Sequence, residues 1–116
     1  MKSIVILISG RGSNMESLLK AVADGLLPVR VAAVISNRPD AKGLEIAAAQ
    51  EVETCVVDHT RFDSRESFDA AMIKTIDSYA PDLVVLAGFM RILTDDFVRR
   101  YEGRLLNIHP SLLPSF

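Results

Sequence analysis

Lys2-Ser3-Ile4-Val5-Ile6-Leu7-Ile8-Ser9-Gly10-Arg11-Gly12-Ser13-Asn14 reads as a strand that turns directly into a helix. Ile4 to Ile8 is an unbroken apolar run, the pattern of a strand covered on both faces. Two glycines then break it, and Met15, Leu18, Leu19 and Val22 follow at helical spacing. Four more apolar runs begin near Val31, Thr54, Leu83 and Leu105, with helical periods between them. The order βαβαβαβαβ predicts an α/β architecture: a mostly parallel sheet with helices on both faces.

The helix boundaries carry their own signals. Ser13 with Glu16, and Asp63 with Glu66, have the spacing of capping boxes. Asp40 stands before the second helix, which runs through Leu44, Ala47 and Ala48. The third presents Phe68, Met72, Ile76 and Tyr79. Thr94 is the expected cap of the fourth, with Asp95 and Asp96 in its first turn, Arg99 and Arg100 in its last, and Gly103 as its stop.

At 116 residues, 49% hydrophobic and 24% charged, the chain has the size and composition of one globular domain. A net charge of −2 offers no general attraction for nucleic acid or an anionic membrane. No stretch reaches the length of a membrane span, and Ile4–Ile8 is too short for a secretory leader. The single cysteine, Cys55, is expected to be a buried structural thiol and leaves neither a disulfide framework nor a metal cluster. The expected setting is cytoplasmic and soluble. No internal repeat, low-complexity tract or linker interrupts the pattern.

Ligands of a parallel sheet gather at the carboxyl ends of its strands. Those ends are 9–14, 36–38, 58–65, 87–93 and 107–114. In the first, glycines let the backbone approach a ligand, and the amides of Gly12, Ser13 and Asn14 would open a helix N-terminus to a phosphate. The plainer alternative is a tight turn that merely starts a helix. The dinucleotide fingerprint is not met, because Met15 stands where a third glycine is required, and Ser36-Asn37-Arg38 offers no acidic group to a ribose.

In the fourth, Leu86-Ala87-Gly88-Phe89-Met90-Arg91-Ile92-Leu93 carries a strand into an apolar loop. Such a loop either folds back over the core or walls a pocket for a flat apolar ligand, with Arg91 beside a polar part of it. His59, Arg61, Asp63 and Arg65 form a mixed-charge loop read as solvated surface, with Arg65 a weak candidate for an anion contact. Asn107 and His109, two apart in Leu105-Leu106-Asn107-Ile108-His109-Pro110, share one side of a strand end. Asn can donate to a developing oxyanion, and His can donate or shuttle a proton near neutral pH. With no nucleophile elbow, direct transfer fits better than a covalent intermediate. By residues alone, the chain is a transferase or hydrolase acting on a carbonyl of a phosphate-bearing substrate.

Three motifs, Ser9 to Asn14, LAGFMRIL (86–93) and LNIHPSLLP (106–114), together resemble the phosphoribosylglycinamide formyltransferase family over the whole chain. The resemblance implies a Rossmann-like formyltransferase fold. It also implies transfer of a formyl group from 10-formyltetrahydrofolate, the co-substrate, to the amine of glycinamide ribonucleotide in purine synthesis, without a metal. By the family's pattern, Gly12, Ser13 and Asn14 would bind the substrate phosphate. Arg65, Met90, Arg91, Ile92, Leu93 and Asn107 would bind the folate, and Asn107 and His109 would be catalytic. Both partners would be small molecules, with no nucleic acid or membrane involved, and a homodimer is compatible with the family.

The family's third catalytic residue, an aspartate, lies further downstream than Phe116, and the apolar fifth strand would form a sheet edge. Residues 1–116 are therefore expected to be one N-terminal, phosphate-binding domain, truncated before the family's C-terminal part. Taken alone, this piece is expected to be inactive or impaired. Competing expectations are a formyltetrahydrofolate deformylase, which would release formate without the amine, and a non-catalytic domain holding a phosphate metabolite.

Overall fold

The computed structural model describes residues 1–108. Strands and helices alternate: β1 (Lys2–Ile8), α1 (Ser13–Ala23), β2 (Val29–Ser36), α2 (Lys42–Ala49), β3 (Thr54–Val56), α3 (Arg65–Ser78), β4 (Leu83–Leu86), α4 (Asp95–Arg100) and β5 (Leu105–Asn107). A single 3-10 turn, His59–Arg61, follows β3. Among the described residues the pairings are all parallel, in the order β3-β2-β1-β4-β5. The chain steps outward from β1 through β2 to β3, then returns to the other side of β1 for β4 and β5. The reversal opens a crevice between the carboxyl ends of β1 and β4, the position where open α/β sheets bind ligands.

The central strand explains the two-sided core. Successive side chains of β1 point to opposite faces. Ile4, Ile6 and Ile8 pack with Met15, Leu18 and Leu19 of α1 and Ala47 of α2. Val5 and Leu7 pack with Phe68, Met72 and Ile76 of α3 and Phe97 and Tyr101 beyond it. Each fully buried aliphatic side chain contributes about 1.5–3 kcal/mol relative to exposure. Replacing Leu7, which is fully buried, by Ala would therefore cost about 2–5 kcal/mol. Cys55 departs from expectation and is only half-buried, because β3 is an outer strand with both its other residues exposed.

Of the helix starts in the described residues, those of α1, α2 and α3 differ from the sequence reading. Ser13 is already the first residue of α1. Gly12 precedes it with φ 72°, and no side chain caps the helix. At α2 the residue before the helix is Ala41, again without a side-chain cap, and Asp40 pairs with Arg38 instead, 3.4 Å away. The capping box of α3 belongs to Ser64 and Ser67: Ser64 Oγ accepts from the Ser67 amide at 3.0 Å, and Ser67 Oγ from the Ser64 amide at 3.3 Å. Asp63 lies one residue too early for that geometry. Thr94 caps α4 as expected, accepting from the Phe97 amide at 3.2 Å.

Candidate active site

The turn after β1 owes its shape to two glycines that touch. Gly12 needs its left-handed conformation to swing the chain into α1, and a Cβ there would lie 3.1 Å from the Gly43 Cα. Gly43 in turn lies against Gly10, its amide donating to the Gly10 carbonyl at 3.0 Å. The first-turn amides of a helix have no intrahelical acceptor. At α1 no side chain supplies one, so these donors stay open at the head of an 11-residue helix whose dipole favours an anion. They open onto a cleft of about 460 Å³ whose lining includes Gly10 to Asn14. Its lining includes the cations Arg11, Arg38 and Arg91 and the imidazole of His59, with no carboxyl group among the described lining residues. In a chain of net negative charge, that makes the cleft a locally positive surface.

Behind the cleft lies a buried polar junction between four strand ends. Ser9, 3% exposed, donates its hydroxyl to Asn37 Oδ1 at 2.6 Å and accepts the Met90 amide at 2.7 Å. Asn37, 2% exposed, has its side-chain nitrogen 3.1 Å from His59 Nδ1. The same ring nitrogen is 2.9 Å from the Asn37 carbonyl oxygen. A protonated Nδ1 donates to that carbonyl, and an unprotonated one accepts from the amide. In either state Nδ1 is turned to Asn37, and Nε2 is the ring nitrogen left for the cleft. Asp58 starts the 3-10 turn that carries this histidine. The Thr60 hydroxyl and amide donate to Asp58 at 2.7 and 3.0 Å and hold its carboxyl below the usual range.

The apolar loop after β4 folds partly back over the core and partly faces outward. Phe89 and Leu93 pack inward against the α3 face of the core, while Met90 and Ile92 are 80% and 70% exposed. Between them the Arg91 guanidinium lies 5.8 Å from the centroid of the Phe68 ring. Met90 and Arg91 line the cleft.

Other expected residues stand apart from it. Arg65 is the exposed first residue of α3 and does not line the cleft. Asn107 is exposed at the end of β5, opposite Leu86, one strand over along the same edge. The catalytic expectation for His109 falls outside the described residues.

His59 corrects the sequence reading, since its ring is bound to Asn37 rather than free in solvent. The mixed charges around it suggested a solvated loop, although its place after β3 marked it for a ligand edge. Ser9, Asn37 and Gly43 were also missed as parts of the site. Ser9 and Asn37 carried a usable signal: a polar side chain directly after an apolar parallel strand must find a partner when buried. Among the described residues, no three His, Cys, Asp or Glu side chains are grouped to hold a metal ion, and no helix is long and apolar enough to cross a membrane.

Residues 2–116 match the family model described as formyl transferase. The phosphoribosylglycinamide formyltransferase of Escherichia coli (strain K12) is 53% identical over 114 residues, which are 98% of this chain and 54% of that protein. The trifunctional purine biosynthetic protein adenosine-3 of Gallus gallus is 42% identical across 97% of this chain and 11% of that protein. The solved structure of the Coxiella burnetii phosphoribosylglycinamide formyltransferase aligns with a TM-score of 0.90 at 49% identity, covering 99% of this chain and 54% of that one. The chain thus spans about half the length of the bacterial relatives it matches.

Proposed function

Since the chain belongs to the formyl transferase family, we propose that it forms the phosphate-binding domain of a phosphoribosylglycinamide formyltransferase. In the reaction, the glycinamide amine attacks the formyl carbon of 10-formyltetrahydrofolate. A C–N bond forms to the amine and the bond to the folate nitrogen breaks. The proton lost by the amine ends on that nitrogen, giving formylglycinamide ribonucleotide and tetrahydrofolate. The observation that carries the reading is the uncapped start of α1, with the open amides of Ser13 and Asn14 at a cleft ringed by arginines and a histidine.

Gly12, Ser13 and Asn14 grip the substrate phosphate in this reading. Met90, Arg91, Ile92 and Leu93, with Arg65, take the folate. Asn107 and His109 stabilise the negative charge that develops on the formyl oxygen, where losing one such donor costs about 10²–10³ in rate. The protein acts in the cytoplasm on two small molecules, apart from nucleic acid and membranes, and a homodimer is compatible with it.

The decisive experiment is a titration with glycinamide ribonucleotide followed by amide resonances. Gly12, Ser13 and Asn14 should move, and silence at all three would remove the phosphate site. For catalysis, Asn107→Ala and His109→Ala are assayed in the protein at its natural length. Turnover that survives both changes with the fold intact would defeat their assignment. Formate release that needs no amine would make the enzyme a deformylase.

A further inference from the structure

The loop from Met90 to Thr94 is fastened at both ends by side chains buried in the scaffold. At its start the Met90 amide donates to Ser9 Oγ, and at its end the Thr94 amide donates to Asp69 Oδ2, each at 2.7 Å. Ser9 comes from the end of β1, and Asp69 from the buried side of α3, where Phe68 and Met72 are its neighbours in the core. Asp69 is only 2% exposed, and its second oxygen, Oδ1, is buried with no hydrogen-bond partner.

An acid is a poor choice for that position if packing alone matters. A buried polar atom without a partner lowers stability, and an aliphatic residue there would avoid the loss. What Asp69 adds is one bond across from α3 to the loop. Phe68, its neighbour, meets Arg91 from the same helix, so α3 holds the middle of the loop as well as its end. With Phe89 and Leu93 turned inward, the fastening leaves Met90 and Ile92 facing outward on a fixed backbone.

We propose that Ser9 and Asp69 are positioning residues that hold this loop in the shape that receives the formyl donor. Ser9 has a second task. The hydroxyl that accepts Met90 also donates to Asn37, so the loop is tied to the wall of the anion cleft. Asp69 has no such link and acts on the loop alone. This inference rests on the proposed formyl transfer for the identity of the ligand, but the fastening itself is a property of the backbone.

The test uses the protein at its natural length with Ser9→Ala, Asp69→Ala and Asp69→Asn. The asparagine keeps an oxygen acceptor for Thr94. Asp69→Ala should raise KM for the formyl donor about tenfold, the upper end for one hydrogen bond, and leave KM for the amine substrate within about twofold. Asp69→Asn should recover most of the loss, and Ser9→Ala should raise both KM values. Donor KM unchanged in Asp69→Ala and Ser9→Ala, or equal rises for both substrates in Asp69→Ala that asparagine does not rescue, would overturn the proposal.

Hydrogen exchange, read in folded variants, separates this result from the functional reading, and Asp69→Asn covers an Asp69→Ala variant that does not fold. The Met90 amide should exchange about tenfold faster in Ser9→Ala, and the Thr94 amide should stay protected in Asp69→Asn. If the unaltered protein transfers no formyl group, the functional reading fails while these exchange rates still decide the clamp. Exchange of Met90 unaffected by Ser9→Ala, or loss of Thr94 protection in Asp69→Asn, refutes it.

Discussion

The helices α1 and α3 start in sequences of the same type, small polar residues with an acid in the first turn, yet they are finished in opposite ways. At α3, Ser64 and Ser67 satisfy each other's backbone amides in a closed box. At α1, Gly12 turns the chain and nothing covers the amides that follow. Replacing a Ser, Thr, Asp or Asn cap by Ala costs about 1 kcal/mol, as at Ala41 of α2, and by Gly only a few tenths, so Gly12 leaves the α1 amides open at little loss of stability. The contrast extends beyond the two helices. Thr94 caps α4, and Asp69 and Asp77 bind groups on the α3–α4 side, whereas the α1–α2 side has two uncapped starts beside the cleft. The closed half is the scaffold, and the open half carries the proposed phosphate site.

The strongest way to break this comparison is to give α1 a cap. Gly12→Asp brings a carboxylate to the open amides, and Asp is among the residues that tolerate a left-handed backbone. Its Cβ, 3.1 Å from the Gly43 Cα and from the Met15 Cε, requires those neighbours to give by a few tenths of an ångström. A bound phosphate would lose at least two charge-assisted hydrogen bonds and meet a like charge. Affinity for glycinamide ribonucleotide should fall at least about a hundredfold, as calorimetric titration would show. Binding within about fivefold of the unaltered protein would mean that the open helix start is not the phosphate site.

Gly43→Ala strikes the same turn from behind. The new Cβ would stand 2.5 Å from Ile8 Cδ1 and 3.2 Å from the Gly10 carbonyl oxygen. The isoleucine tip can move, but the backbone oxygen moves only with the turn. Overpacking of this kind costs about 1–3 kcal/mol, so thermal unfolding should come at a lower temperature. Phosphate affinity should fall with it, by about tenfold, because the turn and the open amides are one unit. Lost stability with unchanged affinity would uncouple the two.

These glycine contacts show where sequence reading stops. The strands and helices of the described residues were legible because apolar runs and helical stripes alternate cleanly. The cleft's position followed from the rule that ligands gather at strand ends. Cap assignments failed by one residue at α1, α2 and α3, since a cap depends on which residue takes the extended or left-handed backbone. Ser13 beside Gly12, and Asp63 beside Ser64, have the right chemistry at neighbouring positions, and only the fold selects between them. His59 was misread because its partner, Asn37, is 22 residues away and the charges next to it pointed to solvent. Ser9 and Asp69 could be placed only once Met90 and Thr94 were seen beside them.

A smaller effect, on the closed side, sharpens the comparison. Ser64→Ala removes the acceptor for the Ser67 amide and should cost about 1 kcal/mol. For a domain of this size that lowers Tm by roughly 4 °C. Affinity for glycinamide ribonucleotide should not change. The two helix starts would then respond in opposite senses, one in binding and the other in stability alone.

The smallest effect concerns acid. Asp77, on α3, receives hydrogen bonds from Arg100 at 2.6 Å and the Tyr101 hydroxyl at 2.8 Å. Burial pushes its pKa up, but those bonds and the nearby arginines outweigh it and hold the carboxyl below 3.8. Burial and the same bond push the Tyr101 hydroxyl up, which keeps it a donor at any pH the protein meets. A depressed acid stabilises the fold above its unfolded pKa, and that contribution disappears as pH falls through the folded value. Stability supplied by Asp77 is therefore complete at neutral pH and is lost only below about pH 4. Asp77→Asn should reduce stability at pH 7 and flatten the loss on acidification. The difference should stay under about 1 kcal/mol, because Arg100 is more than half exposed and water screens the pair. Acid unfolding monitored by circular dichroism would show whether the two curves converge below pH 4, as loss of this single contact requires. A phosphate affinity that changed in parallel with that convergence would mean that the α3–α4 side also shapes the cleft, and the division between closed scaffold and open site would have to be redrawn.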